Sequence, residues 1–205
     1  FIISLLRILF PLAGLWLISI AAGQSGYLGG RGMEVAQLLP VLGLVVFGFR
    51  WVSERVFARD DEEALLLLPD GQRKRARLLV NAITIVMIIS IITDAVVDFD
   101  DPSAATRAVI EFPFTLLISL ALYRIGKILH GYFEPSEEPT DTEVATKSTT
   151  YSRIVRSLGI GAIIVSVLAP VLFAIGYQNL SDAILRPYVT TLVLLGIIVA
   201  LQRFL

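Results

Sequence analysis

Arg73, Lys74, Arg75 and Arg77 set four cations within five residues, directly before an apolar run that ends near Val97. Beside a bilayer, such a cluster does one of two things. It binds anionic lipid headgroups, each charge near the surface adding about 1 kcal/mol, or it keeps its end of the chain cytoplasmic without a particular ligand. Both readings stand. A second set of cations closes apolar stretches: Gly48-Phe49-Arg50-Trp51, Leu122-Tyr123-Arg124-Ile125 and Leu201-Gln202-Arg203-Phe204. An aromatic ring sits amphipathically at headgroup level while a guanidinium snorkels to phosphate. Arg50, Trp51, Tyr123, Arg124, Arg203 and Phe204 are therefore expected as interface anchors. The ending recurs once per helical hairpin, either as a parallel repeat or by convergence.

Other motifs carry less. Gly23, Gly26, Gly29, Gly30 and Gly32 crowd one stretch, but no Lys-Ser/Thr follows and no strand precedes, so a turn fits better than a phosphate loop. Gly159-Ile160-Gly161 lacks the third glycine of a dinucleotide fingerprint and reads as helix packing. Pro170 sits in the longest apolar run, and Ala162, Ser166 and Ala174 share its helical face. That pattern predicts a kink or a close helix approach. Cysteine is absent and His130 is the single histidine, which excludes disulfides, thiolate metal sites, thiol nucleophiles and histidine-pair metal sites. No cofactor is expected. Ionisable residues at a bilayer midplane mark relays and substrate paths. Here Glu34, Asp94, Glu111 and Asp182 are expected at outer edges, while Arg50, Arg124 and Arg203 mark inner ones. Arg7 is the exception and is expected to snorkel. Asn81, Thr84, Ser90 and Thr93 are expected to bond between helices without a charged partner. Coupled transport and intramembrane catalysis are both disfavoured on these grounds.

The elements that must position these residues follow from composition. Of 205 residues, 56% are hydrophobic and 17% charged, and mean hydropathy is +0.78. A soluble domain is less apolar and more charged. A net charge of −1 offers no surplus for nucleic acid. A bilayer core needs about 20 mostly apolar residues per helix. Six stretches qualify, predicting an all-α polytopic membrane protein whose six transmembrane helices form three hairpins. The first hairpin is expected over 1–57, its first span rivalled weakly by a signal peptide. A cytoplasmic loop, with a short interfacial helix near Leu65, follows over 58–76. The second hairpin covers 77–130, a polar cytoplasmic loop 131–154 and the third hairpin 155–205. Ser157 to Ser181 holds no charge and reads as the clearest span. The start at Phe1, without Met, is expected to reflect a longer chain.

Orientation follows the Lys and Arg residues. Arg50 to Arg77 carries seven and Arg124 to Arg156 five, whereas the alternate loops carry only Arg31, Arg107 and Arg186. Both basic loops and both ends are then cytoplasmic, and the acidic group Asp94, Asp98, Asp100, Asp101 and Glu111 lies outside.

Arg73-Lys74-Arg75-Ala76-Arg77-Leu78-Leu79-Val80, Phe112-Pro113-Phe114-Thr115-Leu116-Leu117 and Leu122-Tyr123-Arg124-Ile125 resemble the amino-terminal membrane region of large mechanosensitive channels of the MscS family. The resemblance covers residues 33–205. In that family a Gly/Ala-rich pore helix and a cytoplasmic β-domain follow such hairpins, and neither occurs here. The resemblance implies a tension-sensing paddle, partnered by membrane lipids, in a heptameric channel of the bacterial inner membrane. The rival expectation is a membrane subunit or scaffold of a transport complex. The charge asymmetry is directly testable, because the chain offers a cysteine-free background. Cysteines placed singly at Ser136 or Asp70 should resist an impermeant thiol reagent in intact cells, and one at Ser103 should react. Labelling of the first two from outside would reverse the topology.

Overall fold

The computed structural model describes residues 2–57, 70–99, 102–131 and 145–202. The interfacial helix expected over 61–68, most of the loop 131–154 and the ending at Arg203-Phe204 lie outside the described residues, as does the side chain of Arg7. Six helices make up the rest: α1 (Ile2–Gln24), α2 (Gly30–Val56), α3 (Asp70–Asp98), α4 (Ala104–Gly131), α5 (Ala145–Ala174) and α6 (Gln178–Gln202). Five carry stretches long and apolar enough to cross a membrane: Gly32–Val56, Gly71–Asp98, Ala104–Gly131, Arg153–Ala174 and Gln178–Ile198. In α1 the described apolar stretch, Leu9–Gln24, is shorter. The chain is a membrane-embedded helical protein.

Local chemistry sets the helix ends. Ser103 precedes α4 and its Oγ accepts the Thr106 N–H at 3.2 Å, an N-cap that satisfies one of the orphan donors. At the end of α5, Gly176 adopts φ +98°. The Tyr177 N–H reaches Leu172 O at 2.9 Å and the Gly176 N–H reaches Phe173 O at 3.0 Å, the bond pair of a Schellman turn. The charge-free run from Ser157 to Ser181 is therefore not one helix. It bends at Gly176, and α6 begins at Gln178 rather than near Ala183. α3 starts at Asp70, so Arg73 to Arg77 belong to its first turns and not to a loop. α5 already begins at Ala145, inside the expected polar loop. Pro11, Pro40, Pro113, Pro170 and Pro187 all lie within helices, and helical structure continues through Pro170 to Ala174.

Each helix packs on its neighbour in sequence, and α2 returns to α6. Helices α2 to α6 thus close a ring, with α1 attached to α2 from outside. Apolar side chains gain nothing by leaving lipid for protein, so helices associate where small residues allow close approach. Burial follows that rule. Ala76, Ala162 and Ala169 are fully enclosed, while Leu78, Val109 and Ile164 point outward. On α5 the buried line runs through Ala162, Ser166, Ala169 and Phe173, and Ala174 is exposed. The buried face thus shares Ala162 and Ser166 with the expected stripe and departs from it at half-buried Pro170 and exposed Ala174. Two hydrogen bonds fasten α6 to α5: Ser181 Oγ donates to Ala169 O at 2.9 Å and Tyr188 OH to Leu158 O at 2.6 Å. Gly161 leaves room for that tyrosine, since a Cβ there would stand 2.7 Å from its hydroxyl.

The tightest crossing joins α4 to α5. A Cβ on Gly126 would lie 2.9 Å from Gly159 O, and one on Gly159 would lie 3.1 Å from Gly126 O and His130 N. Backbone cannot yield as a flexible side chain does. Gly126→Ala and Gly159→Ala should each cost roughly 1–3 kcal/mol by overpacking, read as a lower unfolding midpoint in detergent. Gly48→Ala, with open space at its Cβ, should leave the midpoint unchanged or raise it.

Candidate ligand cavity at the short-loop end

The helix ends joined by the short connections, Gln24 and Gly30, Asp98 and Ala104, and Ala174 and Gln178, lie toward one end of the ring. There a cavity of about 370 Å³ opens between α2, α3, α4 and α6. α3 presents Met87, Ser90, Ile91 and Asp94; α4 presents Glu111, Phe114, Thr115 and Ile118. α6 adds Asp182, Leu185, Arg186 and Val189, and α2 closes the wall with Val41 and Val45. Each set follows the three-and-four spacing of one helical face, so the acids point where the apolar residues below them point.

Three carboxylates face one guanidinium in this cavity. Arg186 Nη2 lies 3.8 Å from Asp182 Oδ2 and 4.0 Å from Asp94 Oδ2, contacts at the outer limit for an ion pair. Glu111 stands within electrostatic range of Asp94, Asp182, Arg107 and Arg186. Arg107 itself pairs with Asp98 across the α3–α4 connection. At 1.5 Å per residue, Glu111 lies about 10 Å inside the start of α4, and Asp182 about 6 Å inside α6. Thr115 is 6% exposed and lines the cavity. Its hydroxyl has no hydrogen-bond partner among the described residues. Among those residues no three ionisable groups converge as a metal-ligand set.

A second cavity, about 150 Å³, lies toward the opposite end and is lined by all five ring helices. Its walls are apolar, among them Phe49, Ile83, Leu122, Leu158 and Leu192; Val189 borders both cavities.

The residues expected to meet lipid divide sharply. Arg50 is exposed and its Nε donates to Glu54 Oε1 at 2.9 Å. Arg124 is exposed, and Tyr123 is half-buried beneath Lys127, whose Nζ stands 5.0 Å from the ring centre. Trp51 departs from expectation. It is 8% exposed and packs with Val52 against Val56, Val193 and Ile197, joining α2 to α6 rather than entering a headgroup layer. The basic cluster also divides, because consecutive residues on a helix face different ways. Arg73 is buried at 5% exposure, Lys74 and Arg75 are exposed, and Arg77 is half-buried. These four do not form one site. Thr84 donates to Val80 O of its own helix at 2.9 Å, not to a neighbouring helix.

The convergence of Asp94, Glu111, Asp182 and Arg186 was not read from sequence, where each counted as a separate edge residue. The usable signal was the face: each sits three or four residues from an apolar residue of the ring interior. Ser90, expected to lack a charged partner, lines the same cavity as Asp94.

No protein-family model, no curated protein and no solved structure matches the chain.

A cavity with three carboxylates and one guanidinium should favour cations. In Ser90→Cys, a cationic methanethiosulfonate should react about tenfold faster than an anionic one of similar size at low salt, the gap closing as salt screens the field. Equal rates at low salt would show that the acids do not set the potential there.

Proposed function

We propose that this chain is the lipid-facing, tension-sensing membrane domain of an MscS-like channel, and not an enzyme. In this reading α1 also spans the bilayer, giving three hairpins with both ends cytoplasmic in a bacterial inner membrane. The pore and a cytoplasmic domain lie outside residues 1–205, and the assembly is a homo-oligomer, a heptamer by the resemblance.

The observation that supports it is the pairing of apolar, outward-facing flanks with cations at one level. Arg50 on α2 and Arg124 on α4 are exposed at the same end of the ring, below flanks that carry Leu44 on α2, and Leu116 and Leu120 on α4. Guanidinium groups at that level hold to headgroups while the flanks follow the acyl chains. Bilayer thinning then changes helix tilt at fractions of a kcal/mol per Å of mismatch. Such a change biases a neighbouring pore only if its two states differ in lipid interaction energy. Tyr123 and Arg124 keep the anchoring role in this scheme, Trp51 does not, and Arg203 and Phe204 would supply the third anchor.

A membrane subunit or scaffold of a transport complex is the second reading, favoured by the acidic cavity. The two separate in patch recordings. Replacing Arg50 and Arg124 by leucine in the full-length protein should shift gating tension and leave unitary conductance unchanged, while residues 1–205 alone should pass no unitary current. Unaltered gating in a correctly inserted mutant would reject the tension sensor, and altered conductance would place these arginines at the ion path.

A further inference from the structure

The acidic cavity raises a question that the tension-sensing reading leaves aside: what occupies about 370 Å³ inside a helical ring. An apolar cavity of about 150 Å³ is enough to hold benzene, so this one has room for a small organic molecule. Its walls are of two kinds. Asp94, Glu111 and Asp182 offer only acceptors when ionised, and Arg186 answers them at the edge of ion-pair range. Below them, Met87, Ile118 and Leu185 form an apolar floor. Between the two levels sits Thr115, nine-tenths buried, lining the cavity with a hydroxyl that has no partner among the described residues.

A metal ion that needs three protein ligands is a poor match, because no three of Asp, Glu and His group as a ligand set among the described residues. An anion would face three carboxylates. A neutral apolar guest would leave the polar upper wall unpaired. The group that satisfies both walls carries several N–H donors on a single positive centre and a short hydrocarbon body.

We propose that this cavity binds a primary alkylammonium group, its nitrogen paired with Asp94 and Glu111 beside the Thr115 hydroxyl and its alkyl body lying on Met87, Ile118 and Leu185. Two sources share this chemistry. One is the ethanolamine headgroup of a phospholipid, whose phosphate would meet Arg186, two-thirds exposed at the rim. The other is a free amine from the outer solution. The site is independent of whether the domain senses tension.

The test is calorimetric titration of n-butylammonium chloride into the full chain in phosphatidylcholine nanodiscs, with 1-butanol and magnesium chloride as comparison ligands. Saturable binding of butylammonium alone is expected, weakened about tenfold or more in Glu111→Gln and in Asp94→Asn, as loss of a charge-assisted hydrogen bond requires. Thr115→Val should weaken it less. In phosphatidylethanolamine nanodiscs, loss of butylammonium binding would assign the site to the lipid headgroup, and retained binding would assign it to a free amine. No saturable binding in phosphatidylcholine, equal binding of butanol, or folded carboxamide variants that bind like the parent would each overturn the proposal. If the carboxamide variants fail to fold, protection of Ser90→Cys from a cationic thiol reagent by butylammonium decides instead: protection supports the site and its absence rejects it.

Discussion

Gly126 and Gly159 let α4 and α5 approach until backbone meets backbone, and the ring depends on that crossing. In lipid, a buried leucine is no better off than an exposed one, so stability comes from close contact and from hydrogen bonds that lipid cannot supply. The chain meets both demands around α5. Glycine or alanine occupies its contact with α4, and the hydroxyls of Ser181 and Tyr188 bond α6 to its carbonyls. α4 and α5 therefore form the inner spine, and α6 is fastened to it. α1 packs on α2 by side-chain contact, Leu12 and Leu15 lying against Gly43 and Met33 against Gly23.

Small residues at the crossings have a second effect. They bring helices together at particular levels and leave space between them elsewhere, as in the two cavities described above. The polarity of each cavity follows from the membrane. At the end with long basic connections, the ring interior is apolar and the cations point outward or pack at helix starts. At the end with short connections, the helices place acids on their inner faces, within about two turns of water. A carboxylate at that depth keeps access to hydration, and deeper positions are far more costly. Asp94, Glu111 and Asp182 thus sit where an acidic interior can be tolerated, and Arg186 partly balances them.

Much of this was legible in the residues. The apolar runs marked the helices, and missing Cys and lone His130 removed whole classes of chemistry. Other features were not legible, for physical reasons. Ser157 to Ser181 reads as one span because hydropathy ignores the backbone freedom of Gly176, which ends α5 there. Trp51 reads as an interfacial ring because its neighbour Arg50 does point outward, yet one residue along a helix turns by about 100°, and Trp51 faces α6. Arg73 and Lys74 look equivalent in a cationic run and differ completely in burial for the same reason. The acidic cavity was hidden because its members come from three helices. Their convergence depends on ring closure between α2 and α6, which no local pattern encodes.

That closure also constrains how the protein is made. Chains enter a membrane in order, amino-terminal segments first, and α6 emerges after the other five helices. Until then the Trp51–Val52 face of α2 lacks Val193 and Ile197 of α6. The ring is therefore completed by a late, long-range event, of the kind that slows assembly because distant segments must meet before they stabilise one another. α1 precedes α2 in the chain and packs on it, so that contact can form before the ring closes and does not depend on α6.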